Sequence, residues 1–238
     1  MLQRLALDRL SRNSYYGVGV VLVLLTSCRA QPGLIGPEAL TRLDRQTVSG
    51  WVTGFQPTQP TRYDLKWTYI TQRGTVRGRA SVRLVPPDSL RFDYRGPFGR
   101  SGAAVIIGDG VLWSEPEEDV GQLLPIAPLF WAAFGIPREP AEGSEVYGLE
   151  TDSERVWQYV VGGDTLSYVA TRNAPHTLRS EMRRLGDVVG FVDMQFGNDG
   201  MVPVEAVMSF PETATRFILT VENVETVTSF DRETWKRP

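Results

Sequence analysis

The chain of 238 residues holds one cysteine and one histidine, and these bound its chemistry. A Cys/His zinc site needs several such ligands and a disulfide needs two cysteines, so neither forms within a single chain. His176 follows Pro175 with no serine or cysteine motif around it and reads as structural. The acidic run Glu115, Glu117, Glu118 and Asp119 lacks the oxygen spacing of a calcium loop and reads as a solvated turn. No G-x-S-x-G, H-E-x-x-H or phosphate-cradling glycine loop occurs. Paired carboxylates leave no sequence motif, so an enzyme built on scattered Asp, Glu or Ser stands as a minor alternative. The expectation is a non-enzyme with no metal. Lys plus Arg number 25 against 28 Asp plus Glu, a formal net charge of −3, which argues against a nucleic-acid partner.

The cysteine is where the residues point to a definite reaction. Arg4, Arg9 and Arg12 precede an apolar run from Val18 to Leu25, broken only by Gly19, and Leu25-Thr26-Ser27-Cys28 follows. A charged segment, a short apolar segment and small residues make a signal peptide. The run is shorter than the roughly 20 residues a membrane-crossing helix needs. The four residues ending in Cys28 resemble a bacterial lipobox, in which the thiol is joined to diacylglycerol and the peptide before it is cut. Residues 1–27 are then the signal peptide, and residues 28–36 the lipidated cysteine and a tether spanning about 15 Å if flexible. The alternatives are an ordinary signal sequence ending beside a cysteine, or an uncleaved anchor. Two or three acyl chains, at about 0.8 kcal/mol per buried CH₂, hold a protein on a bilayer stably, where one would be marginal. Cleavage removes three Arg and one Asp and takes the formal charge from −3 to −5. Arg29 is not Asp, and by resemblance to proteobacterial sorting rules that directs the protein to the outer membrane, facing the periplasm.

The rest of the chain must fold close to that anchor. Hydrophobic residues make up 42% and charged residues 22%, ordinary values for a globular domain. Twenty-three Gly and 16 Pro favour many turns. Pro37 and the Leu40/Leu43 spacing predict a short helix over 37–47. Period-two alternation then takes over. Tyr63, Leu65, Trp67 and Tyr69 share one face; Val76, Gly78, Ala80, Val82 and Leu84 share the next; Leu90, Phe92 and Tyr94 follow. Ala103 to Ile107 is continuously apolar. Pro128 to Gly135 breaks the alternation and reads as an apolar helix ended by glycine. Strands resume from Val146 and run to Val221. With no repeat or linker, residues 37–238 are expected to form one mainly β domain. The expected architecture is a single antiparallel half-open β-barrel of about eleven strands, with short helices over its concave side.

The order of these segments resembles the LolA/LolB lipoprotein-localisation superfamily, and most of all its lipidated outer-membrane receptors. It is carried by the early helix, the hairpin over 61–85, the stretch Leu90-Arg91-Phe92-Asp93-Tyr94-Arg95-Gly96-Pro97-Phe98-Gly99, and the apolar helix ending Phe134-Gly135-Ile136-Pro137. The resemblance implies a binding and transfer protein with no chemical step. Its partners would be lipoprotein cargo and a LolA-like periplasmic carrier, its only added group the lipid on Cys28, and its form a monomer. It also implies a membrane-insertion loop at Pro97, Phe98 and Gly99, with Phe98 where the receptors typically carry Leu.

Independently, a Phe at the tip of a Gly96-Pro97-Phe98-Gly99-Arg100 turn is hard to bury under its own sheet, and a neighbouring arginine suits a phosphate. The alternative is that Phe98 folds back and caps the barrel end. Candidates for an acyl-chain cavity are Tyr63, Leu65, Trp67, Tyr69, Val82, Leu84, Leu90, Phe92, Tyr94, Val105, Ile107, Leu129, Phe130 and Phe134. The commoner place for each is an ordinary core, since any β-protein needs such residues. Small Gly78 and Ala80 on the same side are expected to leave room. Arg77, Arg79, Arg83, Arg91 and Arg95 fall on the outward face and read as a solvated set paired with Asp93 and other acids, or as a surface for headgroups or an acidic carrier.

Overall fold

The computed structural model describes residues 40–117, 126–200 and 202–237. The signal peptide, Cys28, the tether and the start of the early helix therefore lie outside the described residues, as do Glu118 and Asp119.

Among the described residues, one antiparallel sheet of thirteen strands carries the chain. Its strands are β1 (Thr41–Leu43), β2 (Thr61–Thr71), β3 (Gly74–Val85), β4 (Ser89–Arg95), β5 (Ser101–Ile107), β6 (Gly110–Glu115), β7 (Val146–Glu150), β8 (Glu154–Val161), β9 (Asp164–Thr171), β10 (Thr177–Arg184), β11 (Asp187–Phe196), β12 (Pro203–Phe210) and β13 (Thr215–Thr226). The spatial order β1-β7-β8-β9-β10-β11-β12-β13-β2-β3-β4-β5-β6 contains two meanders, β2–β6 and β7–β13. They are sewn together where β13 pairs with β2, from Arg216 opposite Ile70 to Thr226 opposite Thr61. The sheet does not close on itself, so the half-open expectation holds. The strand count is thirteen, not about eleven.

Among the described residues, two short helices cover the inner face: α1 (Arg45–Thr53) and α2 (Ala127–Ala132). The helix expected over 37–47 is displaced. Thr41–Leu43 is a strand on β7, and the helix begins only at Arg45. Two local causes are visible. Val48, Trp51 and Val52, spaced i, i+3, i+4, supply a better apolar stripe than Leu40 and Leu43. Gly148 opposes Thr41 and has no side chain, so Leu43 packs into its place, where a Cβ would lie 2.5 Å from Leu43 Cδ1.

Helix α2 forms where the alternation breaks, with a proline in its first turn. Its end is a Schellman turn: Gly135 N–H donates to Ala132 O at 2.9 Å and Ile136 N–H to Trp131 O at 3.2 Å. Gly135 adopts φ +76, and Pro137 then stops any continuation. The Phe196 ring occupies the space where a Cβ on Gly135 would sit, at 2.5 Å, so position and conformation both call for glycine.

Aromatic contacts seat both helices on the sheet. Trp51 of α1 meets Trp157 of β8 edge-on at 5.9 Å, and Trp157 stacks on Tyr168 of β9 at 5.1 Å. Phe130 of α2 meets Phe92 of β4 at 5.4 Å. Because neighbouring strands are antiparallel, the turns β2–β3, β4–β5, β8–β9, β10–β11 and β12–β13 all open at one end of the sheet. That end is called the Phe98 rim below.

Candidate functional site

The inner face gathers most of the residues expected to line a cavity. Tyr63, Leu65, Trp67, Val82, Leu84, Leu90, Phe92, Leu129, Phe130 and Phe134 are all buried in one cluster, and Tyr94 packs against it half-buried. Tyr69 belongs to the same face but sits near the Phe98 rim, 41% exposed, with its ring edge-on to Phe217 at 6.3 Å. Val105 and Ile107 are corrections. Directly opposed residues on antiparallel strands share a face, and Leu90 opposes Ile106 while Arg91 opposes Val105. Ile106 therefore joins the inner cluster. Val105 is buried on the outer face with Ala103 and Trp113, under Trp235, and Ile107 is 42% exposed. The run Ala103–Ile107 is continuously apolar because both its faces are covered over most of its length. The outer cover is the C-terminal turn Arg232–Trp235. Trp113 Nε1 donates to Trp235 O at 3.0 Å, and the Arg91 guanidinium donates to Thr234 O and Lys236 O.

Half of the inner face comes from residues that the sequence reading did not select. Trp157, Tyr159, Leu166, Tyr168, Met182, Met194 and Met208 complete it from the second meander, together with Trp51 and Trp131 from the helices. The signal was present as alternation in β8 to β12. The three methionines make this half soft and adaptable.

The room expected beside Gly78 is taken. A Cβ there would lie 2.1 Å from Arg95 O and 2.4 Å from Trp67 Cζ2, because the indole lies flat over the glycine and donates from Nε1 to Arg79 O at 3.1 Å. Gly102 is covered by the Tyr94 ring in the same way, with a Cβ placed 2.5 Å from it. The glycines therefore seat aromatic rings and do not open a cavity. A recess of about 30 Å³, enough for one water molecule, lies between Gly54, Phe55, Gln56, Pro57, Tyr63, Phe134, Phe196, Gly200 and Pro203. Gln56 Oε1 is buried without a hydrogen-bond partner. His176 packs its ring 3.0–3.2 Å from where a Cβ on Gly200 would sit, and its carbonyl accepts from Phe196 N–H, a structural part at a turn.

Burial of the tyrosines has a measurable consequence. Desolvation pushes the Tyr63 phenol up to about 12, and it raises Tyr159 and Tyr168 as well. Tyr159 donates to Arg138 O at 2.7 Å, and Tyr168 accepts from Arg138 N–H at 3.2 Å. The unfolded chain loses these protons near pH 10 while the folded chain keeps them. The stability that Tyr63 contributes is thus complete below pH 10 and lost as pH rises to about 12, and Tyr159 and Tyr168 act in the same direction. The urea midpoint is expected to fall over that window, and Tyr63→Phe should remove part of the fall.

The β4–β5 turn carries the exposed aromatic. Phe98 is 100% exposed and holds φ 59, ψ 29, in the left-handed region. Gly99 follows at φ 77, and Gly96 N–H donates to Arg100 O at 2.7 Å across the turn. Phe98 does not fold back over the barrel end. A left-handed backbone costs a non-glycine residue about 1–2 kcal/mol, and here it keeps a large apolar ring in solvent.

The outward arginines divide. Arg83 and Arg91 share Asp93, at 2.6 and 2.7 Å, and Arg91 also lies over the Trp113 ring at 5.2 Å. Arg77, Arg79 and Arg95 are exposed, with no ion-pair partner among the described residues. Glu117 pairs with Arg237, and Glu115 is exposed. No helix among the described residues is long and apolar enough to cross a membrane.

No family model matches the chain, and no curated protein matches it significantly. Several solved structures are similar, two of them over most of their length. A LolA superfamily protein from Nitrosomonas europaea has 10% identity and a TM-score of 0.54, covering 82% of this chain and 98% of its own. A domain assigned to outer membrane lipoprotein sorting from Vibrio parahaemolyticus also has 10% identity, with a TM-score of 0.52, covering 81% of this chain and 97% of its own. With thirteen antiparallel strands left open and two short helices seated on the apolar inner face among its described residues, the chain shares the fold of these two structures.

Proposed function

We propose that this protein is a lipid-anchored receptor on the periplasmic face of the outer membrane. It takes the acyl chains of lipoproteins from a LolA-like carrier onto its apolar inner face and releases them into the bilayer, without a chemical step. Cys28 carries the anchoring lipid. The observation that carries the reading is Phe98, a fully exposed ring held left-handed at the rim of a sheet whose inner face is aromatic and methionine-rich. A carrier that only holds lipid has no use for such a tip, whereas delivery into a bilayer does. The similar structures supply the lipoprotein-sorting context.

Close packing of the inner face means that side chains must part to admit an acyl chain. A second reading follows from that packing: a general binder of smaller hydrophobic ligands in the cell envelope. The deciding experiment reconstitutes the full chain in vesicles and adds a carrier loaded with radiolabelled lipoprotein. Movement of label to the vesicles supports the receptor. No movement, by a folded protein that still binds fluorescent fatty acids, moves the assignment to the general binder.

A further inference from the structure

The arginines of the outer face separate into two sets by register, and only one set is neutralised. Across β2, β3 and β4 the outward residues form rows: Arg62, Arg83 and Arg91; then Asp64, Ser81 and Asp93; then Lys66, Arg79 and Arg95, nearest the Phe98 rim. The acid row serves the first row. Arg62 bonds Asp64, and Arg83 and Arg91 bond Asp93. In the last row Lys66 bonds Glu222 of β13, but Arg79 and Arg95 face each other directly across the strands. Arg77 lies one step further out on β3, and Arg73 and Arg100 stand in the adjoining turns. None of the guanidinium groups of Arg73, Arg77, Arg79, Arg95 and Arg100 has a partner among the described residues, and all five side chains are exposed. The acids nearest in register are Glu222, taken by Lys66, Asp93, taken twice, and Glu115 on β6.

Like charges directly opposed on neighbouring strands destabilise a sheet. Five unpaired arginines around one turn, in a chain of net charge −3, concentrate a positive field at one place. Phe98 stands within it. The same rim carries Leu185 in the β10–β11 turn, 91% exposed and at φ 52, and Ala214 in the β12–β13 turn at φ 49. Among the described residues, these two and Phe98 are the non-glycine residues with positive φ, and all three lie at this rim. Phe98 and Leu185 are six strand spacings apart in the sheet order, about 29 Å measured along it. Two apolar tips so widely spaced, with arginines around one of them, suit a broad plane that is apolar within and anionic at its surface.

We infer that Arg73, Arg77, Arg79, Arg95 and Arg100 form a docking surface for anionic phospholipid headgroups, which seats the Phe98 rim on the bilayer. The inference rests on the delivery reading and adds to it a choice of lipid and an orientation. Guanidinium groups pair bidentately with phosphate oxygens, while the Phe98 ring, and then Leu185, enter the acyl boundary.

The test uses the mature chain, residues 28–238, with Cys28→Ser and Gln72→Cys, so that neither the apolar leader nor the anchoring lipid holds it on the bilayer and one environment-sensitive fluorophore sits in the β2–β3 turn without replacing a proposed contact. It is mixed with vesicles of phosphatidylcholine alone, or with about a third phosphatidylglycerol, each carrying brominated acyl chains as quenchers. Quenching is expected on the anionic vesicles and is expected to weaken steeply with added salt. Arg77→Gln/Arg79→Gln/Arg95→Gln should lower partitioning by about a hundredfold, at roughly fivefold for each arginine removed. Its melting temperature should be no lower, since a like-charge pair is relieved. Equal quenching on neutral and anionic vesicles overturns this inference and leaves the delivery reading to the transfer assay. Binding to polyglutamate in preference to anionic vesicles also overturns it, and makes the rim a site for an acidic protein. Loss of carrier-to-vesicle transfer in the unmodified protein, with anionic docking retained, sinks the delivery reading alone.

Discussion

Phe98→Glu is expected to leave the fold intact, within about 0.5 kcal/mol as for other exposed positions, and to reduce lipoprotein transfer into vesicles by at least a hundredfold. The size follows from two contributions. Burying a Phe ring in an apolar medium is worth about 2 kcal/mol, and an acid at shallow membrane depth costs at least about 1 kcal/mol more. Together they exceed two factors of ten. Phe98→Gly separates the side chain from its backbone. It removes the ring and also relieves the left-handed φ of 59, so its unfolding free energy should rise by about 1 kcal/mol while transfer still falls. Activity and stability moving in opposite directions is an outcome that a merely structural loop does not produce. Wild-type transfer by Phe98→Glu would remove the loop from the mechanism.

Trp131→Ala carries the largest expected effect on stability. Trp131 is fully buried, its Nε1 donates to Gly108 O at 2.8 Å, and the Arg138 guanidinium lies over its ring at 5.2 Å while bonding Asp109 at 2.8 Å. One indole thus pins α2 to the β5–β6 turn. Its loss should cost about 3–5 kcal/mol in urea unfolding. If the inner face opens by lifting α2, the same variant, assayed where it is still folded, should take up a fluorescent fatty acid more tightly than the native protein. Unchanged uptake despite the lost stability would show that acyl chains enter elsewhere, under α1.

The sheet itself was legible, because alternation such as Tyr63, Leu65, Trp67 is enforced by a strand with one buried face. Helix α2 was legible for a related reason: proline at its start and glycine at its end are local rules that tertiary contacts did not need to override. What failed was whatever depended on a partner distant in sequence. The exchange of Leu43 into the space of Gly148 turned an expected helix into β1, and Gly148 lies 105 residues away. Val105 went to the outer face because a C-terminal turn covers it, and no pattern around Val105 announces Trp235. Gly78 looks like space in the sequence, which shows a missing side chain but not the Trp67 ring that fills it. Phe98 was legible as exposed from its turn, although its left-handed backbone was not. The acid-free row of arginines needed the register, which places Arg79 opposite Arg95.

The seam between the meanders has a consequence for how the molecule is assembled. Within β2–β6 and within β7–β13 each strand meets its successor in the chain, so both can zip locally and early. The β13–β2 ladder joins segments about 150 residues apart. A chain delivered from its N-terminus exposes β2 long before β13 emerges, and during that interval β2 presents an unpaired backbone able to accept the wrong strand. The last strand to arrive is also the latch, so damage near residue 220 is expected to leave two half-sheets, each with an apolar face open to solvent.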